Sequence, residues 1–280
     1  MRLSFSTRGW MDLEWNEIVD SACEMRFTGI EVYNVFKSPG FVDAGGPFHK
    51  FNVMPTYRDL RDKRIEIPCF DSSNDLSQDD PEMLDGMGRL IELASDMHCP
   101  YVCAFAKENS PEIIRRNIRS LIPLAADAGV VILIKTSGIY SDTALLRDLL
   151  NEFACDQLAV LWDVHHPYRD HGETPAQSIT NLGAYVKHVH MRDSQDDGSY
   201  TVIGEGSFPV EEVMNALRCI DYDGFISLEW KPEWTRDLTD RDVVFPYFVN
   251  YMERFRNDHL QKYKLYPNHD GSGYYVWEKD

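Results

Sequence analysis

Three apolar segments of this chain each end in a side chain that could bind a metal ion or transfer a proton. One segment ends at Asp163, one at His190 and one at Glu229. If the segments are neighbouring parallel strands, their carboxyl ends meet at one rim. Carboxylate oxygens and imidazole nitrogens suit a divalent ion such as manganese, zinc, magnesium or cobalt. The pattern therefore predicts a polar site at this rim, shared with His166, that could hold a divalent metal ion.

Four further residues near strand ends are candidates for contacts with a substrate. His166 follows Asp163 by three residues, and His188 shares a strand face with His190 because side chains alternate along a strand. Glu31 lies near the end of another apolar segment and could meet a substrate hydroxyl, although a salt bridge in a barrel is an equal alternative. Trp230 could form an apolar wall, although aromatic residues more often belong to a core.

The order of elements predicts a closed (β/α)8 barrel, since eight apolar segments alternate with helix-like ones. An open doubly wound sheet is the second choice, and it would need a glycine-rich turn after the first strand, where Ser6–Gly9 offers one glycine. The predicted strands are Leu3–Ser6, Gly29–Tyr33, Ile65–Phe70, Tyr101–Phe105, Val130–Thr136, Leu158–Val164, Val186–His190 and Phe225–Glu229. The predicted helices include Trp15–Met25, Pro81–Met97, Pro111–Asp127, Asp142–Phe153, Thr174–Leu182 and Pro209–Cys219.

Two segments fall outside this alternation. Phe36–Pro55 is predicted to be a loop that acts as a lid or a substrate wall. We place the barrel at residues 1–258 and an irregular carboxyl-terminal tail at residues 259–280, because the tail has turn residues and no helical period. The sequence leaves open that this tail is a linker to a fused downstream domain.

The composition of the chain limits the classes of partner that the protein is expected to bind. The chain has 280 residues, a hydrophobic fraction of 43% and a net charge of −18, which disfavours nucleic acid because phosphate binding uses clustered Lys and Arg. No apolar segment is long enough to predict a membrane span. The six cysteines form no C-x-x-C pair, which favours a reduced, cytoplasmic protein. A homo-oligomer is left open.

The sequence resembles the sugar phosphate isomerase/epimerase group of xylose-isomerase-like barrels, which includes inosose dehydratases, ketose 3-epimerases and endonuclease IV relatives. The resemblance runs from Met1 to about Arg256. It is most specific in Leu161–Glu173, Lys187–Ser194, Gly204–Pro209 and Tyr222–Trp230. It implies a metal held by Glu, Asp, His and Glu at the ends of the fifth to eighth strands, and the last three match Asp163, His190 and Glu229. His166 matches a histidine that contacts substrate in the group.

The fifth strand departs from this pattern, because Lys135 stands where the group has its first glutamate. A protonated lysine cannot ligate a metal and repels it. Either the ammonium replaces the metal between Asp163 and Glu229, or three ligands and water hold a weakened metal site. A third alternative is that Lys135 is a base or nucleophile with a lowered pKa.

The expected activity is isomerisation, epimerisation or a related elimination of a small keto-sugar or polyol by proton abstraction next to a carbonyl. Glu229, Lys135 and His166 are the predicted catalytic residues, and Glu31, His166, His188 and Trp230 the predicted substrate contacts. The alternative is a catalytically inactive barrel that serves as a sugar-binding or regulatory domain. An abasic-site endonuclease is disfavoured by the charge and by too few ligands for three metals.

Overall fold

Eight parallel strands close into a barrel in the computed structural model, which describes residues 1–234, 240–257, 264–267 and 273–276. Each strand pairs with its neighbours along the chain, and the first strand also pairs with the eighth. This confirms the predicted (β/α)8 fold. Numbered first to eighth, the strands are Arg2–Ser6, Gly29–Tyr33, Phe70–Asp75, Tyr101–Ala106, Val131–Gly138, Leu158–Asp163, Val186–Met191 and Phe225–Leu228.

Helices surround this barrel and bury their apolar sides against it. Polar caps start several of them: Asp80 accepts the amide hydrogen of Glu82, and Asp142 accepts that of Ala144. No helix in the described ranges is long and apolar enough to cross a membrane. The helices are Trp15–Glu24, Val53–Asp62, Pro81–Asp96, Pro111–Ala128, Thr143–Phe153, His165–His171, Pro175–Leu182, Val210–Cys219 and Arg241–Asn257.

The last of these helices covers the ends of the first and eighth strands. The ring of Phe245 lies 5.3 Å from that of Phe5, 4.9 Å from that of Trp10 and 5.6 Å from that of Trp230. All four side chains are buried. Aromatic pairs at this spacing add to the stability that their burial provides, so Arg241–Asn257 is an integral part of the barrel.

Three predicted segments differ from the structure. The third strand is not Ile65–Phe70 but Phe70–Asp75, because Pro68 has no amide hydrogen to donate to the sheet. The preceding residues contribute a single bridge, between Gly29 and Glu66. This shift brings Asp71 into the strand.

The segment predicted as a loop, Phe36–Pro55, includes the start of the helix Val53–Asp62. Phe41 and Phe48 in this segment pack on the ring of Trp15, at 5.6 Å and 5.0 Å. The segment is therefore anchored to the core by its aromatic side chains.

The carboxyl-terminal tail contains regular structure where irregular chain was predicted. Lys264–Pro267 and Gly273–Val276 pair as two antiparallel strands. Tyrosine in both segments and valine in the second favour extended backbone, which explains the difference. The remaining residues of the tail, 259–263, 268–272 and 277–280, lie outside the described part of the chain, and the boundary at residue 258 stays a prediction.

Candidate functional site

The strand register brings the three predicted metal ligands to one rim. Asp163 and His190 are direct partners on the sixth and seventh strands. Ser227 of the eighth strand is opposite His190, and two residues later the amide of Glu229 donates to the carbonyl of Met191 at 3.2 Å. All three expected ligands are at most 1% exposed. Their placement at the carboxyl end of the barrel agrees with the sequence analysis.

Arg192 lies between the two carboxylates of this group. One of its guanidinium nitrogens, Nη2, donates to both oxygens of Asp163, at 2.8 Å and 2.9 Å, and the other, Nη1, pairs with Glu229. Burial, the largest single influence, raises the pKa of each carboxyl group, but the Arg192 charge together with the other nearby cations outweighs burial and lowers both pKa values. The guanidinium therefore occupies the space between two predicted metal ligands.

Lys135 has a different partner from the expected ones. Its ammonium donates to Asp71 Oδ2 at 2.7 Å rather than to Asp163 or Glu229. Burial alone would lower the pKa of Lys135, but the negative charges of Asp71 and Glu229 outweigh burial and raise it. Lys135 is therefore a fixed cation, and the alternative of a lysine base with a lowered pKa is wrong.

Glu31 and His188 lie deeper in the barrel and hold His190. The Glu31 carboxylate accepts from His188 Nε2 at 2.5 Å and from His190 Nε2 at 2.8 Å. Burial, the largest single influence, lowers the pKa of His190, but the carboxylates of Glu31 and Glu229 together outweigh it and raise the pKa to about 10. Burial lowers the pKa of His188, so this imidazole is neutral. Both predicted substrate contacts, Glu31 and His188, are fully buried, and Glu31 holds His190 in place.

The buried charges of the site balance one another. Each carboxylate lies within ion-pair or hydrogen-bonding distance of a cationic group, which offsets the large cost of removing it from water. The carboxylates are Glu31, Asp71, Asp163 and Glu229, and the cations are Arg8, Lys135, protonated His190 and Arg192.

A metal ion fits these residues poorly, although ligand atoms are close together. Asp71, His190 and Glu229 each offer an atom within 4.8 Å of the others, whereas Asp163 belongs to no such group in the described chain. Lys135 is bonded to Asp71, and Arg192 to Glu229. A divalent ion would have to displace or face these two cations. Of the expected set, Asp163 and Glu229 are thus paired with Arg192, and His190 is bonded to Glu31.

The carboxylate of Asp170 positions His166 at the solvent-exposed opening, or mouth, of the site. Its Nδ1 donates to Asp170 Oδ2 at 2.5 Å, one helical turn later, and its Nε2 lies 3.6 Å from Asp163 Oδ2. The side chain is 29% exposed, whereas Asp163 is buried. His166 is therefore an accessible imidazole with a fixed orientation, at the place where the sequence predicted a substrate contact.

Aromatic residues line the mouth, but Trp230 is not among them. Trp230 is 3% exposed and packs on Phe245, since the helix Arg241–Asn257 covers it; the predicted substrate contact is a core residue. The rings of Tyr200 and Trp234 stack instead, with centroids 4.8 Å apart. The Arg192 guanidinium lies 5.6 Å and 5.4 Å from their centroids.

The loop that carries Tyr200 is fastened by Asp193. Its carboxylate accepts the amide hydrogens of Gly204 at 2.7 Å and Gly206 at 3.1 Å. A side chain at Gly206 would place its Cβ 2.0 Å from the Asp193 carboxylate, so only glycine fits there. The loop therefore has a fixed path over the rim, and Arg192 is held beneath Tyr200.

Three functional candidates were missed by the sequence analysis: Arg8, Asp71 and Arg192. Asp71 directly follows the apolar pair Cys69–Phe70, the same signal that identified Asp163, but the third strand was placed too early. Arg192 lies two residues after His190, on the same side of the strand by alternation. Arg8 follows the first strand, and its Nη1 is 2.9 Å from Glu229 Oε1. No spacing pattern indicated Arg8.

Comparison with known proteins identifies relatives of this barrel. A family model described as xylose isomerase-like TIM barrel matches residues 20–243. An uncharacterised protein of Methanocaldococcus jannaschii, MJ1311, is 27% identical over 197 residues, which are 66% of this chain. The match spans 62% of the length of that curated relative.

Solved structures share the fold at low sequence identity. The probable 3-DHS dehydratase AsbF of Bacillus anthracis, involved in petrobactin synthesis, has a TM-score of 0.75 and 19% identity, covering 90% of this chain and 99% of that chain. A D-tagatose 3-epimerase-like protein has a TM-score of 0.69 and 19% identity, covering 92% of this chain and 100% of that chain. At this identity the likeness concerns the fold.

Proposed function

This chain belongs to the family of xylose isomerase-like TIM barrels, and we propose that it binds a small keto-sugar or polyol and transfers a proton next to its carbonyl group. Its structural neighbours include a probable dehydratase and ketose 3-epimerases. Inversion at the carbon next to a ketone can proceed by removing and returning the proton of that carbon, which supports the proposal. We further propose that protein cations, and not a tightly bound divalent ion, stabilise the negative charge that forms on the carbonyl oxygen.

The observation that carries this proposal is the position of Arg192. Its guanidinium is held between Asp163 and Glu229, where the resemblance places a metal, and it faces the aromatic mouth. An arginine donates several hydrogen bonds in a fixed plane and keeps its proton. It can therefore bind a developing enediolate oxygen without first losing a proton. Lys135 adds a second positive charge close to Glu229.

His166 is the residue best placed to move the proton. Asp170 fixes the imidazole by accepting from Nδ1, which leaves Nε2 to accept a proton from a substrate carbon. Glu229 was the first choice in the sequence analysis, but Arg192 and Lys135 lower its pKa, so it binds protons weakly. Glu229 and Asp163 then serve to orient Arg192.

Deuterium exchange tests this function directly. The protein is incubated in deuterium oxide with D-fructose or D-tagatose, and NMR follows the loss of the proton next to the carbonyl. We expect exchange that persists with a chelator present, and a loss of about 10²-fold or more for His166→Gln. His171→Gln, an exposed histidine of the same helix, is the matched control and should exchange at the unmodified rate. Exchange only after metal addition would contradict the role of the cations.

A binding domain without catalysis is the second candidate, and the pairing of the carboxylates favours it. Glu229 is held by Arg8 as well as Arg192, and Asp71 by Lys135, so no buried carboxylate of the described site is free to act as a base. In that case calorimetry would detect sugar binding, while no deuterium would enter the bound sugar. His166→Gln would then change affinity alone.

A further inference from the structure

A cavity beside Glu229 is lined by three basic side chains. It has a volume of about 620 Å³, within the usual range for small-molecule sites, and opens at the carboxyl end of the barrel. The charged residues that line it are Arg8, Asp12, Lys231, Glu233 and Arg241. Three cations face two carboxylates here, although the whole chain has a net charge of −18. The local balance of charge is thus opposite to that of the protein.

Both arginines are fixed in place and keep an unsatisfied nitrogen. The Arg8 guanidinium stacks 4.1 Å from the Tyr33 ring, and its buried Nε has no hydrogen-bond partner. Arg241 Nη2 is 2.9 Å from both oxygens of Asp12, while its buried Nη1 has no partner. Buried donors without an acceptor are costly. An anionic ligand that drew either guanidinium towards the cavity would supply the missing acceptor.

Lys231 completes the basic lining. It follows the eighth strand, and its ammonium lies 5.5 Å from the centroid of Trp234. Within the described residues it has no carboxylate partner at ion-pair distance, in contrast to Arg8 and Arg241. Its charge is therefore available to a ligand that enters the cavity.

We propose that this cavity binds the anionic end of the substrate, a phosphate ester or a carboxylate. This inference rests on the proposed function, since the reacting carbonyl would lie at Arg192. Arg8 connects the site at Arg192 and Glu229 with the cavity. Its Nη1 is 2.9 Å from Glu229 Oε1, and its side chain also lines the cavity. The preferred substrate is then a keto-sugar phosphate or a keto-sugar acid, and a neutral ketose is accepted but bound more weakly.

Calorimetric titration with three probes tests this class. D-fructose is neutral, D-fructose 6-phosphate carries a phosphate ester, and 2-keto-D-gluconate carries a carboxylate. We expect one charged probe to bind at least about tenfold more tightly than fructose, and the preferred probe identifies the anion. Lys231→Gln and Arg241→Gln should each reduce this preference several-fold. Lys187→Gln, which removes an exposed lysine at the opposite end of the barrel, should leave it unchanged.

The outcomes separate this inference from the proposed function. If fructose binds as tightly as both charged probes, the anion site is wrong and the proposed function stands. If a charged probe is preferred but neither Lys231→Gln nor Arg241→Gln alters the preference, the anion binds elsewhere and the assignment of this cavity is wrong. If none of the three probes binds, the proposed function and the anion site are both wrong.

Discussion

Two layers of side chains fill the barrel, and they differ in chemistry although the same strands supply both. Towards the amino end lies a separate apolar cluster that includes Cys69, Leu133 and Leu161. Two residues further along the chain in each case, on the same side of the extended backbone by alternation, the side chains are charged. The pairs are Cys69 and Asp71, Leu133 and Lys135, and Leu161 and Asp163.

The comparison separates residues that maintain the fold from residues retained for chemistry. The apolar layer stabilises the barrel by burial alone. The charged layer has to offset the desolvation of every ion, and buried ion pairs are often no more stabilising than apolar residues of similar size. A chain selected only for stability would not need Asp71, Lys135 or Arg192. Their presence at one rim therefore points to a ligand.

The largest expected effect is the loss of the Arg192 charge. In Arg192→Met, Asp163 and Glu229 stay buried without their main counter-charge, and we expect the free energy of unfolding to fall by about 3–5 kcal/mol. Urea denaturation measures this. Arg61→Met, which removes an arginine whose side chain is 64% exposed, should cost less than about 1 kcal/mol. Equal losses in the two variants would mean that Arg192 does not compensate the carboxylates.

A substitution in the apolar layer should affect stability without affecting the site. Leu133→Ala leaves a cavity in the barrel, and we expect it to lower the free energy of unfolding by about 2–4 kcal/mol. Leu145→Ala, at a half-exposed position, is the control and should cost much less. Calorimetry should show unchanged sugar binding for Leu133→Ala. A changed affinity would show that the two layers are coupled.

The pH dependence of stability should reflect His190 and the carboxylates. The folded pKa of His190 is about 10, above its ordinary 6.5, so its contribution is complete below pH 6.5 and is lost as pH rises towards 10. The lowered pKa values of Asp163 and Glu229 give contributions that are complete above their ordinary 3.8 and 4.5, and lost in acid. The lowered pKa of the buried His188 gives a contribution that is complete above its ordinary 6.5 and is lost as pH falls. Stability should therefore be highest at about pH 6.5.

From pH 7 to 9 we expect a loss of about 2 kcal/mol from His190, which thermal unfolding across this range would detect. Glu31→Gln removes the charge that raises the pKa of His190, so the slope should become shallower in this variant. An unchanged slope would assign the pH dependence to other groups.

The smallest net effect is expected when a buried ion pair is replaced as a unit. Asp71→Leu or Lys135→Met alone leaves an unpaired buried charge and should cost about 3–5 kcal/mol, whereas the double variant should lie within about 1 kcal/mol of the unmodified protein. Denaturation of all four proteins measures the coupling. The double variant should nevertheless fail to exchange deuterium into the substrate, because the positive charge of Lys135 is absent. Additive losses would mean that the two side chains do not interact.

The fold was predictable because local signals agreed with one another along most of the chain. Proline at the start of Pro81–Asp96 and Pro111–Ala128 marked helix boundaries, and apolar segments marked the strands. The predicted bounds of the third strand were wrong, because an apolar sequence segment does not show which of its residues form hydrogen bonds in the sheet. Pro68 moved the paired residues towards Asp71, and this single shift hid one member of the site.

The sequence predicted which strand ends form the site, but it did not predict which side chains bond to one another there. Asp163, His190 and Glu229 share a rim as expected, because strand register follows from the order of elements. Their partners depend on side-chain length and direction, which spacing does not encode. Arg192 reaches back across the rim, and Lys135 turns to Asp71, so the roles of both became visible only in three dimensions.

The central claim, that protein cations take the place of a metal ion, is tested most directly by calorimetric titration with manganese. The proteins to compare are the unmodified chain, Lys135→Glu, which adds a carboxylate beside Asp71, and Lys135→Met, which only removes the ammonium. The account predicts a Kd of about 1 mM or weaker for the unmodified protein, and binding at least about tenfold tighter for Lys135→Glu than for Lys135→Met. Tight stoichiometric binding by the unmodified protein would contradict it.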